Sequence, residues 1–325
     1  MKEDAVDISL IVVNRNTCEL LPDCISSINN TAGNHSFEIM LVDNGSTDDS
    51  VGLIGQLFPE VIIIENKTNL GFAKANNAAL KRMRGRFAVL LNTDARLKER
   101  SIDVLIDFMD KTPEAGICGG QLLNEVGSKQ NSIANTPSLL TELGNKSLLR
   151  FILPEKYPGK ENNFTQPIEV ESIIGACMVV RKEAILDVGL LDEDYFFFYE
   201  ETDWCLKFRK KGWKVFHHPG AFIFHLQGKT VEKTYVPARI EYWRSRYIFF
   251  RKHRGALILF ILRMSLMLKL SIGIFFLFLC NIAVLFLIRK CRGKLLLQAR
   301  LFFWHLVGCP DSWGLAPACG EAISN

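Results

Sequence analysis

The chain predicts an α/β fold: a mostly parallel sheet with helices on both faces, followed by C-terminal hydrophobic helices that associate with a membrane. Three observations predict it. Short, continuously apolar runs alternate with helix-period stretches over the first 120 residues, the pattern of a parallel sheet buried on both faces. Polar residues follow these runs, so they gather at the carboxyl ends of the strands, where such sheets hold ligands. Beyond residue 250 the composition turns basic and apolar.

In order, "DISLIVV" (7–13), "FEIMLVD" (37–43), "VIIIE" (61–65), "FAVLLN" (87–92) and "AGICGG" (115–120) read as strands. Helices are expected over residues 17–30, 47–57, 72–84 and 99–111. Ser46 or Thr47 caps the second of these, and Asn69 with Gly71 opens the third. Residues 121–168 contain Pro137, Pro154, Pro158 and Pro167 and read as an irregular excursion. Order returns with "VESIIGACMVVRKEAI", a strand leading into a helix. A helix over 200–211 and two short strands follow, and the globular part ends near residue 250.

Nine cysteines are scattered without a C-x-x-C pair, which argues against a zinc site. No secretory signal precedes the first strand, so they are expected as reduced thiols in a cytosol-facing protein. The net charge of +4 conceals an asymmetry: residues 251–300 hold ten Lys or Arg and no acidic residue, whereas residues 1–250 hold 29 basic and 33 acidic ones. An acidic body with a basic tail suits an anionic membrane surface and argues against nucleic acid as the partner.

Within the tail, "LSIGIFFLFLCNIAVLFLI" (270–288) is nineteen residues without a charge. At ~1.5 Å per residue it almost spans a ~30 Å hydrocarbon core, so a transmembrane helix is one reading. The preceding "ALILFILRMSLML" carries Arg263 and is followed by Lys269, too short and too charged for a span of its own. Basic clusters "RKHR" (251–254) and "RKCRGK" (289–294) flank the pair. The positive-inside rule places both clusters in the cytoplasm, which a single straight crossing cannot do and a hairpin or re-entrant segment can. The expectation is attachment to the cytoplasmic face of the cell membrane through residues 256–290, with the topology open.

Four segments carry candidate chemistry. In "LVDNGSTDDS", Asp43 closes a strand and Gly45 permits a sharp turn; Asp43 reads equally as an acceptor for a nucleoside and as a turn residue. In "NLGFAKANNAAL", Gly71 allows close backbone approach and Asn76 lies one turn into a helix, though a plain capped helix fits as well. In "LNTDAR", Asp94 leaves a strand as a carboxylate able to hold a divalent cation that also bridges phosphates; alone it reads more simply as a turn residue, and a partner ligand is wanted. In "YFFFYEETDWCLKFRKKG", Glu200, Glu201 and Asp203 open a helix; Glu200 and Asp203 share a face and Glu201 points elsewhere. Such a cluster complements the helix dipole or supplies a general base. His225 ends "FIFH" ahead of a glycine turn, where a structural histidine is the commoner case.

Taken in order, "IVVNRN", "VDNGSTDDS", "NLGFAKANN", "LLNTDA", "GACMVVRKEA", "GLLDEDYFFFYEETDWCLKFRKKG" and "HLQGKT" resemble the family 2 glycosyltransferases, inverting enzymes of the GT-A fold. The rhamnosyltransferase-type members are the most similar, and the resemblance runs over residues 7–230. It implies a GT-A domain over residues 1–250, with a nucleotide-sugar half (1–120) and an acceptor and catalytic half (121–250), ahead of the membrane-associating tail 251–325. By the same resemblance Asn14, Asp43, Asn69, Gly71 and Asn76 line the nucleotide-sugar pocket. Asn92 and Asp94 occupy the D-x-D position, with Asp94 as the metal-binding member. His225 matches the histidine of an H-x-x-G-x-S-like motif and would complete the metal site; the final residue here is Thr230. Glu200 and Glu201 match a Glu-Asp pair whose second member is the base, so Glu201 is the expected base, with Asp203 and Glu200 as fallbacks. The chain departs from the pattern at Asn92 and at Glu201, where Asp is usual.

The resemblance further implies a divalent cation, manganese or magnesium, and a dTDP- or UDP-linked sugar donor, rhamnose being the preferred sugar. A lipid-linked glycan is the implied acceptor, and the reaction a single inverting displacement. A nucleotidyltransferase shares the alternation, but "NRNTCELL" after the first strand lacks a glycine-rich basic loop, and a dehydrogenase lacks its G-x-G-x-x-G there. A non-catalytic membrane-bound scaffold is the rival from another class.

Overall fold

The computed structural model describes residues 6–316 except 30, 32, 34, 160–161 and 227–234. Gly228 and Thr230 of the last motif therefore lie outside the described residues. The chain forms two compact units, one from residues 1–136 and 148–232, the other from residues 137–147 and 233–325.

The first unit opens with β1 (Ile8–Asn14), α1 (Leu21–Asn29), β2 (Phe37–Asn44), α2 (Ser50–Leu57), β3 (Ile62–Asn66), α3 (Phe72–Leu80) and β4 (Phe87–Asn92). Its strands pair in parallel in the order β3-β2-β1-β4. Because side chains alternate along a strand, Ile8, Leu10 and Val12 of β1 pack on one face with Leu21, Ile25 and Ile54. Ile11 packs on the other face with Ala75 and Ala79 of α3. Continuous apolar strands are thus the consequence of two cores, one on each side of the sheet.

Onward come β5 (Ala95–Leu97), α4 (Ser101–Lys111), β6 (Ala115–Leu123), β7 (Ile133–Ala134), α5 (Leu139–Leu143), α6 (Lys146–Ile152), β8 (Ile168–Glu169), β9 (Ser172–Ile173), β10 (Cys177–Arg181), α7 (Lys182–Val188), α8 (Glu200–Lys210) and β11 (Lys214–His225). The sheet extends as β4-β10-β6-β11-β5, with β10 antiparallel to β4 and β6. It is parallel through its first four strands and mixed beyond. The irregular stretch before β10 is not a single crossover helix, so no βαβ unit sets that strand's direction. The two short strands expected after α8 are one, β11, whose pairing with β6 shifts register between His218 and Phe222, around Pro219 and Gly220.

The second unit contains α5, α9 (Tyr235–His253), α10 (Ala256–Ala283) and α11 (Arg289–Leu306). The two apolar stretches of the tail merge into the single helix α10. Arg263, a charge within the first of these stretches, turns inward: its Nη2 donates to Cys309 Sγ at 3.0 Å and its guanidinium lies 5.4 Å from the Tyr247 ring centre. Among the described residues α10 is the one helix long and apolar enough to cross a membrane.

Candidate active site

The parallel strands end level with one another: Asn14 pairs with Asp43, Asp43 with Glu65 and Asn44 with Asn66. Those ends build a tightly bonded polar cluster. Asn14 Nδ2 donates to Asp43 Oδ1 at 2.8 Å and to the Ser46 hydroxyl at 3.0 Å, and the Ser46 amide donates to Asp43 Oδ2 at 2.9 Å. Asp43 is 4% exposed, and these bonds hold its carboxylate in one orientation at the strand end. Asn44, which the sequence did not single out, donates to Asn69 Oδ1 at 2.9 Å and accepts from the Leu70 amide at 3.0 Å. Asn69 in turn accepts from the Gly71 amide at 3.1 Å.

Gly71 has a φ of +83°, and a Cβ there would lie 2.6 Å from the Phe196 carbonyl oxygen. Only glycine lets the loop after α7 come this close to the start of α3, where the Phe72 amide donates to Phe196 O at 2.7 Å. Asn76 is buried and donates to the Phe72 carbonyl of its own helix at 2.9 Å. Four of the five expected pocket residues thus stand in bonded groups at the strand ends or the start of α3, whereas Asn76 is bonded within α3.

Asn92 ends β4, and Asp94 follows two residues later at the head of β5. β5 pairs antiparallel with β11, matching Ala95 to His225. This pairing brings together residues far apart in sequence: His225 Nε2 lies 3.5 Å from Asp94 Oδ1, with the two side chains 10% and 9% exposed. Gln130 grips the same histidine twice, donating from Nε2 to the His225 carbonyl at 3.0 Å and facing Nδ1 with Oε1 at 3.3 Å. Because the amide nitrogen is committed to a carbonyl, Oε1 accepts from Nδ1–H, and in the neutral ring the Nε2 lone pair then faces Asp94. Carboxylate oxygen and neutral imidazole nitrogen suit a manganese-like or magnesium-like ion that takes further ligands from phosphates. Among the described residues no cluster of three His, Cys, Asp or Glu side chains exists to hold a metal by protein alone.

The acidic cluster separates into two environments. Phe198 and Tyr199, both at a φ of +70°, carry the chain into α8 through a left-handed kink. Asp203 is fully buried, accepting from the Tyr195 hydroxyl at 3.2 Å and ion-paired with Lys207 at 2.8 Å; Lys207 also holds Asp192 at 2.8 Å. Burial, with Asp203 beside it, pushes the Tyr195 hydroxyl well above the usual phenol range. Asp203 thus clamps the 192–195 turn to α8. Glu201 projects elsewhere, against Gly175, whose added Cβ would sit 3.3 Å from Glu201 Cγ. Burial raises the Glu201 carboxyl above its ordinary value, partly offset by hydrogen bonds from backbone amides and the Thr202 hydroxyl. Glu200, on the Asp203 side, is 5% exposed.

Sequence reasoning missed Asn44, Gln130 and Lys207. Asn44 had a signal, standing between Asp43 and Gly45 at a strand end. Lys207 follows Asp203 by one helical turn, a pairing readable from spacing alone. Gln130 lies in the irregular excursion, and no pattern marks it.

Comparison with known proteins gives the chain's family and fold. The model of the family "Glycosyl transferase family 2" matches residues 9–189. An N-acetylglucosaminyl-diphospho-decaprenol L-rhamnosyltransferase of Mycobacterium tuberculosis is 29% identical over 67% of this chain and 76% of its own length. The low-salt glycan biosynthesis hexosyltransferase Agl10 of Haloferax volcanii is 26% identical over 63% of this chain and 62% of its own. Among solved structures, the mannosyltransferase PcManGT of Pyrobaculum calidifontis, in complex with GDP-Man and Mn2+, superposes with a TM-score of 0.57 at 16% identity, covering 92% of this chain and 87% of that one. GalNAc-T7 with UDP, GalNAc and Mn2+ gives 0.55 at 17% identity, over 75% of this chain and 48% of that one. These likenesses establish a GT-A-like fold. With the family model spanning more than half of its length, the chain belongs to glycosyl transferase family 2.

Proposed function

We propose that the chain transfers a sugar, rhamnose before other hexoses, from a dTDP- or UDP-linked donor to a lipid-linked glycan, by a single inverting displacement. The observation that carries this reading is the pairing of Asp94 with His225 just past the end of β4, the strand paired with β1, which ends on the Asn14 of the Asn14–Asp43 cluster. Asp43, Asn14, Asn69 and Gly71 would seat the nucleoside, and Asp94 and His225 would hold a divalent cation, with Asn92 alongside. That cation, when bound, would neutralise charge on the departing diphosphate. The acceptor and sugar assignment draws support from the mycobacterial relative, which by name moves L-rhamnose to a decaprenyl-linked acceptor.

Glu201 is the general base in this account. It takes the proton of an acceptor hydroxyl as that oxygen attacks the anomeric carbon; the bond to the diphosphate breaks on the opposite face, and the electron pair leaves with the diphosphate. Its desolvated carboxyl is the better proton acceptor, whereas Asp203 is neutralised by Lys207 and bonded by Tyr195. One methylene more than Asp extends its reach by roughly 1.5 Å, the scale on which reacting groups are positioned. Attachment to the cytoplasmic face of the membrane through α10 and α11 would bring the enzyme to lipid-borne acceptors.

The test is Glu201→Gln with a polyprenyl-diphosphate acceptor and each donor, reading turnover, donor binding and the anomeric configuration of the product. The expected result is a fall of about 100-fold or more in turnover, with donor binding kept and inverted product from the unsubstituted enzyme. Full turnover in the variant would remove Glu201 as the base. Absence of transfer and of donor binding in both proteins would favour the non-catalytic scaffold.

A further inference from the structure

The apolar tail forms a hairpin, not an isolated rod. Helix α10 has 28 residues, about 42 Å at helical rise. Past its end, Leu285 and Phe286 adopt left-handed φ values of 49° and 55°, and the chain turns into α11. The Gln298 amide of α11 lies so close to Gly273 of α10 that a Cβ at residue 273 would collide with it. The two helices therefore run back along each other, and the last ten residues of α10 lie beside the first turns of α11.

Two kinds of side chain share that distal half. Phe275, Phe276, Leu279, Leu285 and Leu287 are exposed, Phe276 by 60% and Leu287 by 77%. Arg289, Lys290, Arg292 and Lys294 are exposed as well, and from residue 251 to residue 310 the sequence contains no acidic residue to balance them. Were α10 to cross a bilayer, α11 packed beside it would be drawn into the hydrocarbon, and its four cations would sit in the core or on the far side. Charged side chains at that depth are strongly disfavoured, and cations on the far side oppose the positive-inside rule. An orientation along the membrane plane removes both conflicts. The apolar side chains then enter the acyl boundary and the cations meet lipid phosphates at the same depth.

We propose that α10 and α11 are an interfacial hairpin that lies in the cytoplasmic leaflet of an anionic bilayer without crossing it, held by its apolar tip together with Arg289, Lys290, Arg292 and Lys294. This rests on the membrane attachment proposed above and replaces a transmembrane reading of α10. Each cation at an anionic surface strengthens binding about fivefold, so the four together are worth on the order of several hundredfold.

The full-length protein tests this in two steps. Flotation with vesicles of phosphatidylglycerol and phosphatidylethanolamine, against pure phosphatidylcholine, reads attachment. Binding is expected on the anionic vesicles, weakened by high salt, and replacement of the four cations by Gln is expected to weaken it by about 100-fold or more. Sidedness is then read with a membrane-impermeant maleimide on inverted and right-side-out vesicles of expressing cells, with Cys291 followed by mass spectrometry. Labelling of Cys291 in inverted vesicles alone is expected. Labelling in right-side-out vesicles would overturn the in-plane hairpin while leaving attachment intact. Unchanged affinity of the four-fold variant would overturn the anionic recognition. Failure of the unsubstituted protein to float with either vesicle would overturn attachment itself.

Discussion

Gln130 holds His225 through two hydrogen bonds and so determines which imidazole nitrogen faces Asp94. Such outer partners typically change metal affinity by about 10- to 100-fold when removed. Gln130→Ala is therefore expected to weaken manganese binding at least about tenfold, read by electron paramagnetic resonance titration of the free ion. Unchanged affinity would separate Gln130 from the metal site. Glu201 carries the pH dependence. Burial raises its carboxyl, so the base form is lost at a higher pH than for an ordinary glutamate. As pH falls, kcat/KM should decline through a value above the ordinary 4.5, and an acid limb at or below that value would contradict Glu201 as the base. At this scale the sequence pointed to candidate carboxylates at strand ends, as with Asp43 and Asp94, but passed over Asn44, which ends the same strand as Asp43. It was silent on Gln130, whose role exists only because residues 95 positions apart meet.

Elements were most legible where one physical pattern dominates. Strands β1, β2 and β4 are continuous apolar runs because both faces are covered, and α1 to α3 fall between the first four strands, with α4 following them, as the helix-period stretches predict. Strand β11 was read as two, yet its pairing with β6 resumes beyond Pro219 and Gly220 after a shift of register. The tail was divided at Lys269 because the first stretch is too short and too charged for a span of its own, yet helix α10 runs through both stretches, and Arg263 of the first turns onto Cys309 and Tyr247. The junction of α3 with the Phe196 loop depends on one residue. Gly71→Ala forces a Cβ against the Phe196 carbonyl at a positive φ. The expected cost is on the order of 1–3 kcal/mol, read as a lowered denaturant midpoint together with weaker nucleotide binding. A variant of wild-type stability would show that the loop can withdraw freely from α3.

For the whole molecule, the charge asymmetry and the change of composition near residue 250 announce a body and a tail. The contacts divide the chain into two compact units, with residues 137–147 joining the C-terminal helices. No local pattern in the sequence reports that grouping, because it arises from contacts such as Arg246 with Glu142, at 3.1 Å. Within the first unit, the parallel strand ends, the β5–β11 pairing and α8 each contribute one part of the proposed site, so a metal–nucleotide complex is the ligand that would engage the parts together. Calorimetric titration of the full-length protein with dTDP, UDP and GDP tests this most directly, each in manganese and in EDTA, alongside Asp94→Ala. The account predicts that dTDP or UDP binds in manganese, and that EDTA or the loss of the Asp94 carboxylate abolishes binding. Nucleotide binding of equal strength in manganese, in EDTA and in Asp94→Ala would contradict it.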